Sequence, residues 1–226
     1  MTTGNTAILF FSRTQQDEFC AKSLGLNRNR FGRLFKFFTN KALATARQTG
    51  IPVIESYSDQ QQGQTFSERL TNELQSVAKQ GFENVIIIGN DAPGLSREDL
   101  ELANHQLGQG KNVLGKDKRG GDYLIGISLR HFDLSLLKQI EWHSSAVHRQ
   151  LSEQLSSVYE LAQKTDINNV RDIKQLIRTV SELTSGAIAY LRQLFFRTHL
   201  PVSNYSFIGT SVVTRPAHRG PPWLIH

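Results

Sequence analysis

Over the first 110 residues, short unbroken apolar runs alternate with longer stretches in which apolar residues return every three or four positions. The short runs at residues 7–11, 51–57 and 85–89 read as strands, and the periodic stretches at 28–49, 65–80 and 96–108 as amphipathic helices. Thr65 with Glu68, and Ser96 with Asp99, have the spacing of helix-opening capping boxes. In Val85-Ile-Ile-Ile-Gly-Asn-Asp-Ala-Pro93, four β-branched residues without polar alternation predict a strand buried on both faces of a sheet. Beyond residue 110 the pattern changes. Strands at 112–115 and 123–128 flank a charged, glycine-bearing loop, and helices are expected at 132–139, 144–164 and 171–198, with Gly186 a weak point. Residues 12–27 read as a loop. The prolines Pro201, Pro216, Pro221 and Pro222 make the last stretch irregular. The alternation predicts an α/β fold, a mostly parallel central sheet flanked by helices in a Rossmann-like arrangement, with a helical C-terminal extension.

Composition narrows the class. No apolar run approaches the roughly 20 residues that span a bilayer, and the start of the chain lacks a secretory pattern. The single cysteine, Cys20, excludes an internal disulfide and a cysteine metal cage, which fits a cytoplasmic location. Between Phe19 and Ala21 it reads as a buried thiol. The net charge of +6 is uneven, with eight Lys/Arg against Asp17 and Glu18 in residues 1–50. Arg28, Arg30, Arg33, Lys36 and Lys41 alternate with phenylalanines. That mixture can mark a nucleic-acid surface, but the helical spacing of Phe31, Leu34, Phe35, Phe38 and Leu43 favours the polar flank of an amphipathic helix.

Candidate chemistry begins at Asp91. Ligands of such sheets bind outside the carboxyl ends of the strands, where a carboxylate could hold a phosphate-bound cation. Asp91 could equally open the turn before Pro93. Gly120-Gly121 would permit a substrate to approach the backbone, or would serve a tight hairpin. His143 and His148, five apart, do not share a helical face and form no zinc motif. Trp142 reads as a core or sheet-edge aromatic.

Several segments, in this order, resemble the DUF2064 family, which is itself similar to the nucleotide-diphospho-sugar transferase superfamily with its glycosyltransferase-A fold. They are Gln62-Gly-Gln-Thr-Phe-Ser-Glu-Arg-Leu70, Ile88-Gly-Asn-Asp-Ala-Pro-Gly-Leu95, Arg119-Gly-Gly-Asp-Tyr-Leu-Ile-Gly126, Glu141-Trp-His-Ser144 and Asp166-Ile-Asn-Asn-Val-Arg-Asp-Ile173. The resemblance spans residues 7–176 and implies a transferase-like domain over 1–176 with an appendage at 177–226. It implies a metal-dependent transferase acting on a nucleotide or nucleotide-sugar, by glycosyl or nucleotidyl transfer, with Mg²⁺ or Mn²⁺ as cofactor. Asp91 and Asn168 would hold the metal; Arg13, Lys22, Arg69 and Asp91 would meet the nucleotide; Gly120, Gly121 and Asp122 would line the acceptor side. Asp166 or Asn168 could instead cap the following helix. The chain departs from the family at three places: Arg119 stands where an Asp is usual, Asn168 where an acid is usual, and residues 12–24 lack the family's glycine and most of its basic residues. These departures support an alternative, a catalytically degenerate nucleotide-binding or interaction protein of the same fold. The apolar run at 190–196 would pack on the domain or on a second copy of the chain as a homodimer.

Overall fold

The computed structural model describes residues 5–22, 24–178 and 185–195. Its centre is a six-stranded sheet built from β1 (Thr6–Ser12), β2 (Val53–Tyr57), β3 (Asn84–Ile88), β4 (Asn112–Lys116), β5 (Asp122–Ser128) and β6 (Val158–Glu160), in the order β2-β1-β3-β5-β4-β6. β1 runs parallel to both β2 and β3, and β4 parallel to β6; β5 alone is antiparallel to its neighbours. The mostly parallel α/β sheet expected from the pattern is therefore present. Ile86 is fully buried and Ile88 nearly so, on one face, while Val85 and Ile87 are buried on the other.

Helices cover both faces. α2 (Arg28–Arg47) and α4 (Arg97–Gly108) place Ala42, Leu43, Ala46, Leu100, Ala103 and Leu107 against Ile8, Phe10, Ile86 and Leu124. On the opposite face, α3 (Phe66–Lys79) and α5 (Val147–Gln154) bring Leu70, Leu74, Val77 and Leu151 against Leu9, Val85 and Ile127. α2 has a second apolar side. Phe31, Leu34 and Phe38 join Ile173, Leu176 and Ile177 of α6 (Val170–Arg178) and Ile188, Leu191 and Leu194 of α7 (Ser185–Phe195) in a separate core. The phenylalanine spacing in the basic segment thus serves packing. The capping boxes at Thr65 and Ser96 both form, each with reciprocal bonds to Glu68 and Asp99.

Several expectations change. Residues 15–21, read as loop, form α1 (Gln15–Ala21), opened by the Thr14 side chain accepting from the Asp17 amide. The helix expected over 144–164 is only α5; the chain then turns at Ser157, which has a φ of 51°, and enters the edge strand β6. Within the span 171–198 expected to be helical, the described residues form α6 and α7, with Gly186 inside the first turn of α7. Cys20 is exposed, contacted only weakly by the Gln16 amide at 3.7 Å among the described residues, because it lies on the outer side of a short surface helix. The position taken as the domain boundary, residue 176, lies within α6. The described residues all fall in one compact unit, Met1–Phe196. The proline-bearing tail and its basic residues lie outside the described residues. Among the described residues, no helix is long and apolar enough to cross a membrane.

Leu74 is fully buried beneath the sheet. Leu74→Ala is expected to remove about 3 kcal/mol of stability through lost burial and an incompletely collapsed cavity, read as a lower urea midpoint with an unchanged slope.

Candidate functional site

β5 runs against its neighbours, so its first residues lie beside the last residues of β3 and β4, with Leu124 opposite both Ile88 and Gly115. The carboxyl ends of β1, β3 and β4 and the start of β5 therefore open onto one edge of the sheet. A cleft of about 480 Å³ occupies that edge. Its floor is apolar, from Phe11, Leu70, Ile87 and Ile125, and its polar lining includes Arg13, Lys22, Asp91, Asp117, Asp122 and Asp166.

Lys22 organises one side. Its Nζ lies 2.8 Å from Glu18 Oε1 and 3.2 Å from Asp91 Oδ2, and donates to the Ile167 carbonyl at 2.9 Å. The Ile167 amide donates in turn to the Asp91 carbonyl at 2.7 Å. Burial alone would lower the Lys22 pKa, but the carboxylates of Asp91 and Glu18 more than offset it and hold the ammonium well above its ordinary value. Arg13, 3.3 Å from Glu18 Oε2 and 40% exposed, stands on the rim. Asp91 has room to turn back over its own strand because residue 89 is glycine; a Cβ there would come within 2.9 Å of Asp91 Oδ1.

Asp166 enters the same cluster. Burial and then the neighbouring Asp91 carboxylate hold its carboxyl well above the ordinary range, against the charge of Lys22. Its Oδ1 is buried without a hydrogen-bond partner among the described residues. The Asn168 amide group donates to Asp166 Oδ2 at a long 3.5 Å. Neither Asp166 nor Asn168 caps α6. That role belongs to Asn169, whose Oδ1 accepts from the amides of Arg171 and Asp172, while Asp172 Oδ2 accepts from those of Asn168 and Asn169. Asp172 also pairs with Arg119 at 2.5 Å, so the arginine standing in place of an acid clamps the 166–172 segment to the β4–β5 loop.

That loop, residues 117–121, is longer than a two-residue hairpin. Asp117 shapes it, its Oδ1 accepting from the Arg119 amide at 2.6 Å and the Gly121 amide at 2.8 Å. Gly120 has a φ of 90°, and a Cβ there would lie 2.0 Å from the Ser145 carbonyl oxygen. Its glycine requirement is therefore met by packing against the 144–148 segment. Gly121 and Asp122 line the cleft, whereas Gly120 does not. Arg69 does not line it either; it borders an adjoining cavity.

Beneath the wall formed by Gly121 and Asp122 lies a column of ionisable side chains that the sequence did not suggest. His148 Nδ1 is 2.8 Å from Asp122 Oδ1, and its Nε2 is 3.2 Å from Glu160 Oε1. The Asp122 side chain is fully buried, and Glu160 reaches solvent at 52% exposure. The Asp122 carboxyl is pushed up to about 6: burial is the main cause, the hydrogen bond and charge of His148 oppose it, and Asp117 and Glu160 add to it. Asp122 Oδ2 has no hydrogen-bond partner among the described residues. His148 is set by α5 and Glu160 by β6, the two elements that the single helix expected over 144–164 obscured.

A profile of the family described as "Uncharacterized protein conserved in bacteria (DUF2064)" matches residues 29–144. The chain belongs to this family. The matched region holds Asp91, the Asp117–Gly121 loop and Asp122; Arg13, Lys22, Asp166 and Asn168 lie outside it. Among solved structures, the chain is similar to a protein from Desulfovibrio desulfuricans G20 provisionally assigned as a nucleotide-diphospho-sugar transferase, with a TM-score of 0.71 at 22% identity, covering 84% of this chain and 95% of that one. Similarity is lower to a cytidylyltransferase from Leptospira borgpetersenii, with a TM-score of 0.42 at 14% identity over 84% of this chain and 93% of that one. It is also lower to a 4-diphosphocytidyl-2C-methyl-D-erythritol synthase from Anaerococcus prevotii, with a TM-score of 0.45 at 9% identity over 84% and 95% of the two chains. No curated protein matches the sequence. The DUF2064 chain thus has the fold of the Desulfovibrio protein.

The Asp122 column makes stability depend on pH in a defined direction. A carboxyl raised to about 6 in the folded chain, against about 3.9 unfolded, stabilises fully below pH 4, and that contribution is lost as pH rises through 6. Asp122→Asn removes the titration. Its stability relative to the unaltered protein is expected to rise by up to about 3 kcal/mol between pH 4 and 7, and urea unfolding at both pH values measures this; a pH-independent difference would contradict the buried carboxyl.

Proposed function

We propose that this DUF2064 protein is a divalent-cation-dependent transferase that binds a nucleotide or nucleotide-sugar in the cleft and passes its glycosyl or nucleotidyl group to an acceptor hydroxyl. The observation that carries this reading is the meeting of Asp91 and Asp166 in the cleft at the carboxyl end of β3, held 3.2 Å from an ammonium on one side and left with an unpartnered carboxylate oxygen on the other. Among the described residues there is no cluster of three or more His, Cys, Asp or Glu side chains arranged to hold a metal. The donor set still fits Mg²⁺ or Mn²⁺ bound together with phosphates, since Mg²⁺ commonly uses one or two carboxylates plus substrate oxygens rather than a full protein cage. Asp91 and Asp166 would supply the charge, with the Asn168 amide oxygen as a neutral ligand. A cation bound there would neutralise charge developing on the departing phosphate oxygens.

The protein's own groups do the remaining work. Arg13, on the rim, meets phosphate oxygens by charge. Lys22 fixes the direction of the Asp91 carboxylate and adds positive potential beside the phosphates. The acceptor hydroxyl oxygen bonds to the donor as the phosphate leaves with the bonding electron pair, and the hydroxyl proton passes to water in the open cleft. The Asp122 side chain, fully buried and bonded to His148, holds the wall of the cleft rather than touching the acceptor.

One feature favours the second reading, nucleotide binding without turnover: Asp91 is already paired with Lys22, and Arg119 is committed to Asp172. The two readings share the binding step and part at the release of phosphate or diphosphate. Calorimetric titration with nucleoside di- and triphosphates and nucleotide-sugars, with and without Mg²⁺ or Mn²⁺, tests what they share. Cation-dependent binding, weakened about tenfold or more by Asp91→Asn, is expected; absence of binding, or binding indifferent to that change, overturns both.

A further inference from the structure

A second cavity, of about 460 Å³, lies beside the cleft and shares its Phe66, Trp142 and His143 wall. The two spaces differ in charge. Four aspartates line the cleft, whereas the ionisable lining of the side cavity is Arg69, Lys138 and His143, with no acid. Among the described residues, Arg69 Nε is buried without a hydrogen-bond partner, and neither Arg69 nor Lys138 forms an ion pair.

The neighbouring acids are already committed. Glu68 turns back to accept from the amides of Gln64 and Thr65 at 2.8 and 3.3 Å. Asp17, whose charge feels Arg69, accepts from the hydroxyls of Thr14 and Ser58. The wall is rigid. Trp142 Nε1 donates to the Leu137 carbonyl at 3.0 Å, and the Phe66 ring sits 4.9 Å from Trp142, 6.1 Å from His143 and 5.4 Å from Phe11. A guanidinium and an ammonium that have no direct ion-pair partner among the described residues, in a cavity without an acidic lining residue, attract an oxyanion, and the guanidinium fork suits the paired oxygens of a phosphate or carboxylate.

We propose that the Arg69–Lys138 cavity is the binding site for an oxyanion, a phosphate or carboxylate, carried by the acceptor, whose other end passes the Phe66–Trp142 wall into the cleft. The anion site stands on its own geometry; its assignment to an acceptor rests on the transferase reading. Arg69, expected among the nucleotide contacts, is thereby reassigned to the second substrate.

Titration of inorganic phosphate, and separately of acetate, without nucleotide or divalent cation and followed by amide and indole NMR shifts, tests this. Saturable shifts at Ser67, Arg69, Lys138 and the Trp142 indole are expected, with affinity falling about tenfold in Arg69→Gln. Lys138→Gln, at an exposed side chain, keeps the test valid should the first variant fail to fold. Tighter binding of phosphate than of acetate identifies a phosphate-bearing acceptor, and the reverse a carboxylate-bearing one; either supports the site. No saturable binding, shifts confined to Arg13 and Lys22, or affinity unchanged in both variants overturns it. Since neither nucleotide nor cation is present, failure here leaves the nucleotide reading standing, and failure of nucleotide to bind leaves this site standing.

Discussion

One buried ammonium holds the cleft together. Lys22 leaves the end of α1 and reaches two carboxylates and a carbonyl that belong to separate parts of the chain: Glu18 on its own helix, Asp91 after β3, and Ile167 in the segment before α6. A lysine with its side chain only 14% exposed is costly to keep charged unless such partners surround it. Glu18 and Asp91 meet that requirement, and in doing so fix the position of the carboxylate on which ligand chemistry at this edge depends. Removing either acid would leave the ammonium under-compensated and release the 166–168 segment. The geometry of the cleft and the local stability of three connections are therefore the same interaction seen twice.

The sheet edge is divided by charge. Asp91 and Asp166 crowd together near Lys22, so the Asp91 carboxylate adds to the burial that disfavours ionisation of Asp166, and a bound cation would relieve the repulsion. Across the cleft, Asp122 is isolated from water and steadied from behind by His148 and Glu160. The aromatic wall of Phe66 and Trp142 then separates these acids from the cations of the adjoining cavity. Such a layout can orient a molecule that has a cation-bound diphosphate at one end and an oxyanion at the other.

What the sequence reveals follows from the range of the interactions. Residues 85–88 announce a doubly buried strand because burial on both faces imposes an unbroken apolar run, and the strand carries Asp91 to the sheet edge without further information. The capping boxes at Thr65 and Ser96 are local and legible for the same reason. α1 is too short and polar to show a period, and β6 is an edge strand of three residues hidden behind the last turn of α5. The cap at Asn169 is missed by one position, since Asp166, Asn168 and Asn169 all have suitable side chains and only the backbone decides among them. Asp122 and His148 are 26 residues apart, and their pairing exists only because β5 and α5 meet, which no spacing encodes. Arg69 shows the limit of a motif: the run around it is legible, but the face of α3 from which it projects points it away from the cleft.

The central claim is that the cluster of Asp91, Asp166 and Asn168 holds a divalent cation together with nucleotide phosphates. Paramagnetic broadening of backbone amide signals by substoichiometric Mn²⁺, with and without a saturating nucleoside triphosphate, tests it most directly. The account predicts that with nucleotide present the signals of Gly89, Asp91, Ile167 and Asn168 broaden first, and that Asp91→Asn abolishes this selectivity. Broadening centred elsewhere, or equally selective broadening in the Asp91→Asn variant, would contradict it.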